Sequence, residues 1–371
     1  MLVLTRSDVE QLLDLGDLEA ALARAHEELS SGAVSMPPRI AAWANEAGLL
    51  GAMPAYLPSA GLGCKLVTLF PGNTDRPTHQ AAIMLFDPET GTPVVLMDGT
   101  YVTEARTAGA AALAARLLAR EDATVLAILG AGAQARAHAR AFAGVRPWSE
   151  IRIAARDRAK AEQLAAELGA TASPSFEDAV RSADVVAATT HSPEPVVWQT
   201  WLSPGTHVSS VGANQGGGEI DPAIVAGATL VVETRAALAP PPAGAFELAG
   251  LDDAAVHAEL GELVSGTRPG RTTPVETTLY KSVGVAVQDL AAAGFTTPPV
   301  IERIAFTSRA VSARIPAVAY CHGTPLRGEI EARDRAGLER ATQAAQKEVA
   351  RRFGEGPIEG LIQALVVTAA L

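Results

Sequence analysis

Residues 124–135 read TVLAILGAGAQA, an apolar, β-branched strand that runs straight into G-x-G-x-x-A and then into an Ala-rich helix. Gly130 permits the tight turn after the strand, and Gly132 lets the backbone approach a pyrophosphate. Ala135 is small enough for helix and strand to pack closely. The helix beginning near Ala133 aims its N-terminus at the turn, where free N–H groups and the helix dipole favour negative charge. An ordinary βα turn can carry the same glycines. Strand before, helix after and a second strand at the right distance make this one a dinucleotide turn.

The second strand, 150–156 (EIRIAAR), bears on which nucleotide is bound. A site for NAD carries an Asp or Glu about 20 residues past the glycines, where it accepts from the ribose 2′-OH. Ala155 stands there, followed by Arg156, Asp157 and Arg158. A missing carboxylate beside guanidinium groups suits a 2′-phosphate, so NADP is expected. NAD stays open if Asp157 turns inward and the arginines are merely solvated.

The 371 residues, 48% of them hydrophobic, are enough for one large or two ordinary globular domains. A net charge of −11 with scattered arginines argues against nucleic acid or an anionic membrane as partner. The two cysteines, Cys64 and Cys321, form neither a metal spacing nor a disulfide framework, which fits a reducing cytosol and a cytoplasmic location. The N-terminus has no signal-peptide pattern, and no apolar stretch approaches the ~20 residues of a membrane span. Alternating Ala-rich helices and short Val/Ile strands place the chain in the α/β class, as a doubly wound Rossmann sheet with a smaller α/β domain.

Residues 7–31 read as amphipathic helix, with Ser7 or Asp17 as cap. From 37 to 97, short strands separated by Gly, Pro and Asn predict a small sheet. A helix capped by Thr103 leads into the dinucleotide strand. Further strands are expected at 151–155, 185–188, 207–211 and 229–232, and helices at 281–293 and 337–353. The predicted division is a substrate-binding and dimerisation domain of residues 1–118 with 300–371, and a Rossmann domain of residues 119–299.

Three cations in the first third of the chain invite a chemical reading. Arg39 follows Met36-Pro37-Pro38. Lys65 shares a strand face with Val67 and Leu69, where an ammonium is costly unless it meets an anion or a hydrogen-bond partner. Arg106 falls at the third position after Thr103, where the dipole of a helix starting there disfavours a cation and a bound anion would resolve the conflict. Plainer readings are a loop charge for Arg39, a snorkelling lysine for Lys65, and a salt bridge to Glu104 or Asp98 for Arg106.

The pieces Met53-Pro54-Ala55-Tyr56, GCKLVTLFPGN (63–73), DGTYVTEARTAGAAA (98–112), GAGAQA (130–135) and TLYKSVGVAVQDLAAA (278–293) occur in this order. Together they resemble the ornithine cyclodeaminase/μ-crystallin family over residues 5 to 295, the ARTA and KSVG segments being the most specific. The resemblance implies a two-domain subunit, usually a homodimer, with substrate held between the small sheet domain and the Rossmann domain. It implies that Arg39, Lys65 and Arg106 grip the substrate carboxylate, with Met53 beside them. By the same resemblance, Thr107 and the turn Gly130, Gly132, Ala133 and Gln134 face the cofactor phosphates. Thr189, Val211 and Ser282 are expected near the nicotinamide.

Two departures narrow the activity. Ornithine cyclodeaminases carry a Glu two residues before the Met-Pro pair; Gly51 stands here. They also carry an Asp in the GGD segment; VGANQGGGEID places Asn214 there, and an amide cannot serve as a carboxylate base. Both losses point to the reductive branch, in which hydride from NAD(P)H reduces a C=N bond. Lys65 is then the candidate proton donor and Asn214 an orienting group, unless Asn214 is simply a turn residue. The expected substrate is an α-imino acid, either a cyclic ketimine such as pyrroline-2-carboxylate or the imine of a 2-oxo acid with ammonia. Ornithine cyclodeaminase and a non-catalytic, crystallin-like NADP-binding protein are the alternatives. Past residue 300 the chain runs on with an amphipathic stretch (337–352) and an apolar one (357–371). Both are expected to pack on the small domain or a partner. Cys321 and His322, read as a loop pair, support no chemistry.

Overall fold

Alternating burial along β3 (Gly48–Leu57) marks a sheet with one face packed and one open, as its sequence pattern demands. The structure, a computed structural model, describes all residues except 215, 295–299, 325 and 369–371. Before and after β3 come β1 (Leu2–Leu4), β2 (Ile40–Ala44), β4 (Gly61–Leu69), β5 (His79–Phe86) and β6 (Pro93–Asp98). Their order is β1-β6-β5-β4-β3-β2, antiparallel but for the parallel β1–β6 pair. α1 (Arg6–Leu12) and α2 (Leu15–Ser30) precede β2, each with its own cap, Thr5 and Asp14. The helical stretch expected over 7–31 is thus two helices, capped by Thr5 and Asp14 and not by Ser7 or Asp17.

The dinucleotide segment opens a second, all-parallel sheet. Its strands are β7 (Val125–Leu129), β8 (Glu150–Ala154), β9 (Thr171–Ala172), β10 (Val185–Ala188), β11 (His207–Ser210), β12 (Thr229–Val232), β13 (Ala258–Glu259) and β14 (Thr278–Lys281). They lie in the order β13-β12-β14-β11-β10-β7-β8-β9. Burial on both faces explains why β7, β10 and β12 read as continuous apolar runs rather than alternations. β8 and β10 flank β7 on opposite sides, so strand order reverses at β7 and a crevice opens beyond the strands' carboxyl ends. This is the doubly wound architecture the sequence predicts.

α3 (Gly99–Leu118) joins the two sheets and is buried along most of its length. Its Ala- and Gly-rich sequence suits a helix surrounded by protein on all sides. Asp98 caps it, accepting from Tyr101 N, so α3 begins at Gly99 and not beside Thr103. Arg106 consequently lies two turns inside the helix, and a helix-end conflict does not account for it. α4 (Ala133–Ala143), α5 (Arg158–Leu168), α6 (Phe176–Val180), α7 (Pro222–Gly227) and α8 (Leu260–Val264) accompany the parallel sheet. α9 (Ala286–Ala293) starts only after the KSVG segment, of which Lys281 ends β14. It packs on α2, α3, β3 and β4, so the small-sheet side claims it despite its place in the expected Rossmann span.

Contacts divide the chain into residues 1–294 and 295–371. In the second unit β15 (Val300–Ala310) pairs antiparallel with β16 (Ile358–Thr368). Between them lie α10 (Arg314–Gly323), α11 (Leu326–Arg333) and α12 (Leu338–Phe353). The segment expected to complete the small domain thus forms a sheet of its own. Cys321 and His322 sit in α10 and not in a loop; Cys321 is buried and His322 Nε2 meets Thr342 Oγ1 at 3.0 Å. No helix among the described residues is long and apolar enough to cross a membrane.

Candidate active site

Lys65 points from β4 into the packed face of the small sheet and is 2% exposed. Its Nζ lies 2.6 Å from Asp289 Oδ2 on α9, a charge contact without the alignment of a hydrogen bond. Arg106 reaches the same carboxylate from α3, Nε to Oδ1 at 3.0 Å, and donates from Nη1 to Gln288 Oε1 at 2.6 Å. Its other guanidinium edge has no partner among the described residues. Arg39 donates to the carbonyls of Val283 and Gly284 at 2.9 and 2.7 Å, leaving its buried Nε unpartnered. Gly284 is needed there: φ is +74°, and a Cβ would lie 2.6 Å from Arg106 Nη1.

Two of the three cations read from sequence therefore share one carboxylate, while Arg39 is held by the carbonyls of the Val283–Gly284 turn beside them. Burial, then the Arg106 charge, pull Lys65 down to about 7, with Asp289 opposing. Met53 is paired with Lys65 across β3 and β4 and is buried beside it. Asp289 and Gln288, missed in the sequence, stand in the quoted VAVQDLAAA run. Their signal was a pair of polar residues inside an apolar helix. Behind them Glu233, fully buried, accepts from Ser282 Oγ at 2.6 Å and from the amides of Val283 and Gly284 at 2.8 and 3.0 Å. The Ser282 hydroxyl is thus committed to holding the KSVG turn.

The dinucleotide turn has the geometry a phosphate needs. Gly130 has φ +120°, and a Cβ there would collide with Thr189 Oγ1 at 2.6 Å. Gly132 caps α4 without any side-chain acceptor, and space around its Cα is open, so the first amides of α4, from Ala133 and Gln134, face an unobstructed approach. Gln134 Oε1 is buried without a partner, and Thr107 donates to Thr103 O at 2.6 Å close by. Thr189 and Val211 follow the carboxyl ends of the neighbouring strands β10 and β11, at the crevice; Ser282 follows β14 beside them but is 1% exposed, its hydroxyl held by Glu233. These residues fit a dinucleotide. On β8's side Asp157 caps α5, accepting from Lys160 N, and Arg158 pairs with Glu162. Exposed Arg156 has no ion pair among the described residues.

Glu219, 1% exposed, clamps the crevice floor. It accepts from Thr190 N and Oγ1 at 2.8 and 2.7 Å, from Ser210 Oγ at 2.8 Å and from Gly212 N at 2.7 Å. Lys281 adds bonds to Ser210 Oγ, Gly212 O and Glu247. Asn214 donates to His191 O and accepts from Gly216 N, so both ends of its amide are spent on loop structure. A cavity of about 470 Å³ between α1, α3 and α4 is lined by Arg6, Glu104, Ala133 and Arg136 but by none of the three cations. It touches the dinucleotide turn at Ala133 and lies apart from the cation cluster.

Residues 1–302 match the ornithine cyclodeaminase/mu-crystallin family, and the chain belongs to it. The ketimine reductase mu-crystallin of Mus musculus is 38% identical over 282 residues, which cover 74% of this chain and 88% of that protein. The solved structure of Thermococcus litoralis Δ1-pyrroline-2-carboxylate reductase with NADH and L-proline superposes with TM-score 0.75 at 34% identity, covering 79% of this chain and 95% of that one. An archaeal alanine dehydrogenase dimer with bound NAD gives 0.72 at 33% identity, covering 79% and 93%.

The clamp is testable. Glu219→Gln turns one acceptor into a donor facing donors, at a cost of about 1–3 kcal/mol. Denaturant unfolding is expected to show that loss, together with a raised cofactor KM; wild-type values for both would contradict the clamp.

Proposed function

We propose that this protein reduces an α-imino acid to the corresponding amino acid with a nicotinamide cofactor. The observation that carries the reading is a cluster of three cations, Lys65 and Arg106 sharing the buried Asp289 and Arg39 beside them on backbone carbonyls. Such a cluster is short of negative charge, and a substrate carboxylate supplies it. Charge-assisted bonds from Arg39 and Arg106 fix that carboxylate, typically at about 1.5–3 kcal/mol each, and orient the C=N carbon toward the crevice. A reduced nicotinamide held in the crevice would supply the hydride that reduction of the C=N bond requires. Lys65 delivers the proton that the imine nitrogen gains, and recovers it from solvent. A relative that reduces ketimines and one solved with NADH and L-proline support this reading.

Redox-neutral ornithine cyclisation is disfavoured by the absence of a carboxylate at Gly51 and by an amide at Asn214, which cannot act as a carboxylate base and is engaged with the loop backbone. NADPH oxidation with pyrroline-2-carboxylate, or with pyruvate plus ammonia, tests the reductase reading. Binding of NADPH without turnover on either would leave a crystallin-like binding protein. Since the protonated Lys65 acts, kcat/KM is expected to fall as pH rises through about 7, the free-enzyme value. Lys65→Arg keeps the charge and should abolish that limb; an unchanged profile in the variant removes Lys65 as donor.

The cofactor assigned is NADP. Ala155 leaves the 2′ position without a carboxylate, Asp157 is occupied as a helix cap, and Arg156 has no ion pair among the described residues. Arg156→Ala should raise KM for NADPH at least tenfold more than KM for NADH; equal losses would overturn the assignment.

The subunit is proposed to form a homodimer through the open face of the small sheet. Ile40, Leu50, Tyr56 and Leu66 share that face by register and are 67, 44, 39 and 43% exposed. The relative solved as a dimer supports this. Analytical ultracentrifugation should show a dimer for the wild type and a monomer for Leu50→Glu/Leu66→Glu. A monomeric wild type would contradict it.

A further inference from the structure

The buried stripe of α2 runs Leu18, Leu22, Ala25 and His26, at the i, i+4, i+7 and i+8 spacing of a packed helix face. The first three are apolar and need no further account; an imidazole in such a stripe needs partners. Its turn is fixed from two sides. α3 comes so close at Gly109 that a Cβ would lie 2.8 Å from Leu22 Cδ1, and α8 so close at Gly261 that a Cβ would lie 1.8 Å from the carbonyl oxygen of His26. One turn on, Ser30 Oγ donates to Glu259 Oε2 at 2.8 Å.

His26 Nε2 lies 3.1 Å from Gln288 Nε2, and the neighbours decide which atom carries hydrogen. Arg106 can only donate, so the Gln288 atom 2.6 Å from its Nη1 is the oxygen. The amide nitrogen then faces two groups, Glu233 Oε1 at 3.2 Å and His26 Nε2, and donates one hydrogen to each. His26 Nε2 is therefore bare, and the hydrogen of the neutral ring sits on Nδ1. Burial, then the Arg106 charge, hold the ring neutral by pulling it down to about 3. Nδ1 itself is buried without a partner among the described residues. An unmade donor lowers stability where an aliphatic residue would not, so what this imidazole contributes lies on its Nε2 side.

We infer that His26 is a positioning residue for Arg106 and acts through Gln288. This rests on the imine-reduction reading and adds a residue to its grip on the substrate carboxylate. Only one orientation of the Gln288 amide satisfies Arg106, Glu233 and His26 together. With an apolar residue at 26, the amide nitrogen would keep Glu233 alone and the amide could swing about that bond. With the imidazole in place, Gln288 Oε1 is fixed at Nη1 while Asp289, the next residue of α9, holds Nε at 3.0 Å. Two bonds from adjacent residues set the guanidinium plane, and Nη2 is left without a partner among the described residues. Gln288 does this without charge, whereas a carboxylate at 288 would itself supply the anion that a substrate brings.

The test begins with nitrogen NMR on protein carrying labelled histidine, which reads the tautomer without turnover; the His26 signal is the one lost in His26→Gln. A neutral Nδ1–H ring is expected at neutral pH, and an Nε2–H ring or an imidazolium would overturn the proposal. NADPH oxidation with pyrroline-2-carboxylate, and with pyruvate plus ammonia, then compares the variants with wild type. His26→Leu should raise the KM for the imine or 2-oxo acid at least about tenfold, with kcat within about threefold and KM for NADPH unchanged. His26→Gln, whose amide oxygen can accept, should recover most of that loss. In a Gln288→Met background His26→Leu should add less than about twofold, since the route to Arg106 is already cut. A wild-type substrate KM in His26→Leu, a loss confined to thermal unfolding, or additive losses in the double variant would overturn the proposal alone. Turnover of neither substrate by the wild type would overturn the imine-reduction reading and the substrate role with it, whatever the tautomer.

Discussion

Asp289 is the point on which the first unit turns. Its carboxylate is buried between Lys65 on β4 and Arg106 on α3, so one residue of α9 ties the small sheet to the helix that leads into the parallel sheet. Removing one partner of a buried ion pair typically costs about 3–5 kcal/mol, because the remaining charge stays buried. Here the pairing is also incomplete by design of charge: two cations share Asp289 and a third, Arg39, spends only part of its guanidinium on carbonyls. Such a cluster is stable enough to be preformed and short enough of negative charge to take up an anion.

The same economy of buried polar groups continues outward. Gln288 bridges Arg106 to Glu233, and Glu233 holds the Ser282–Gly284 turn whose carbonyls in turn hold Arg39. On the other side of the crevice Glu219 fixes the ends of β10 and β11. The cation cluster and the crevice floor are thus set by separate carboxylates, Asp289 with Glu233 and Glu219 with Glu247, of which Glu233 and Glu219 each accept several hydrogen bonds. Well-bonded polar groups such as Glu233 and Glu219 rigidify the loops that they hold.

What the sequence revealed followed from range. The turn at 130–135 is local, so its residues, the flanking strand and the helix were all legible, and β10 and β12 fall where their apolar runs are. Arg106 was singled out, but through a helix start at Thr103 that Asp98 in fact displaces to Gly99. Its real partner lies 183 residues away, beyond any periodic pattern. Ser282 and Asn214 looked like site residues because of the segments they occupy. Their side chains are spent on Glu233 and on the loop backbone, which only the folded neighbourhood discloses. The strand pairing of residues 300–310 with 358–368 was equally invisible, since apolar character without a period does not specify a sheet.

The most direct test of the central claim is a crystal structure with NADP and the product amino acid of the preferred imine. The α-carboxylate is predicted within about 3 Å of Arg39, Lys65 and Arg106, with Cα facing the crevice past β10 and β11. A carboxylate bound elsewhere, with Lys65 and Arg106 still closed on Asp289 and Arg39 on the turn carbonyls, would contradict the account.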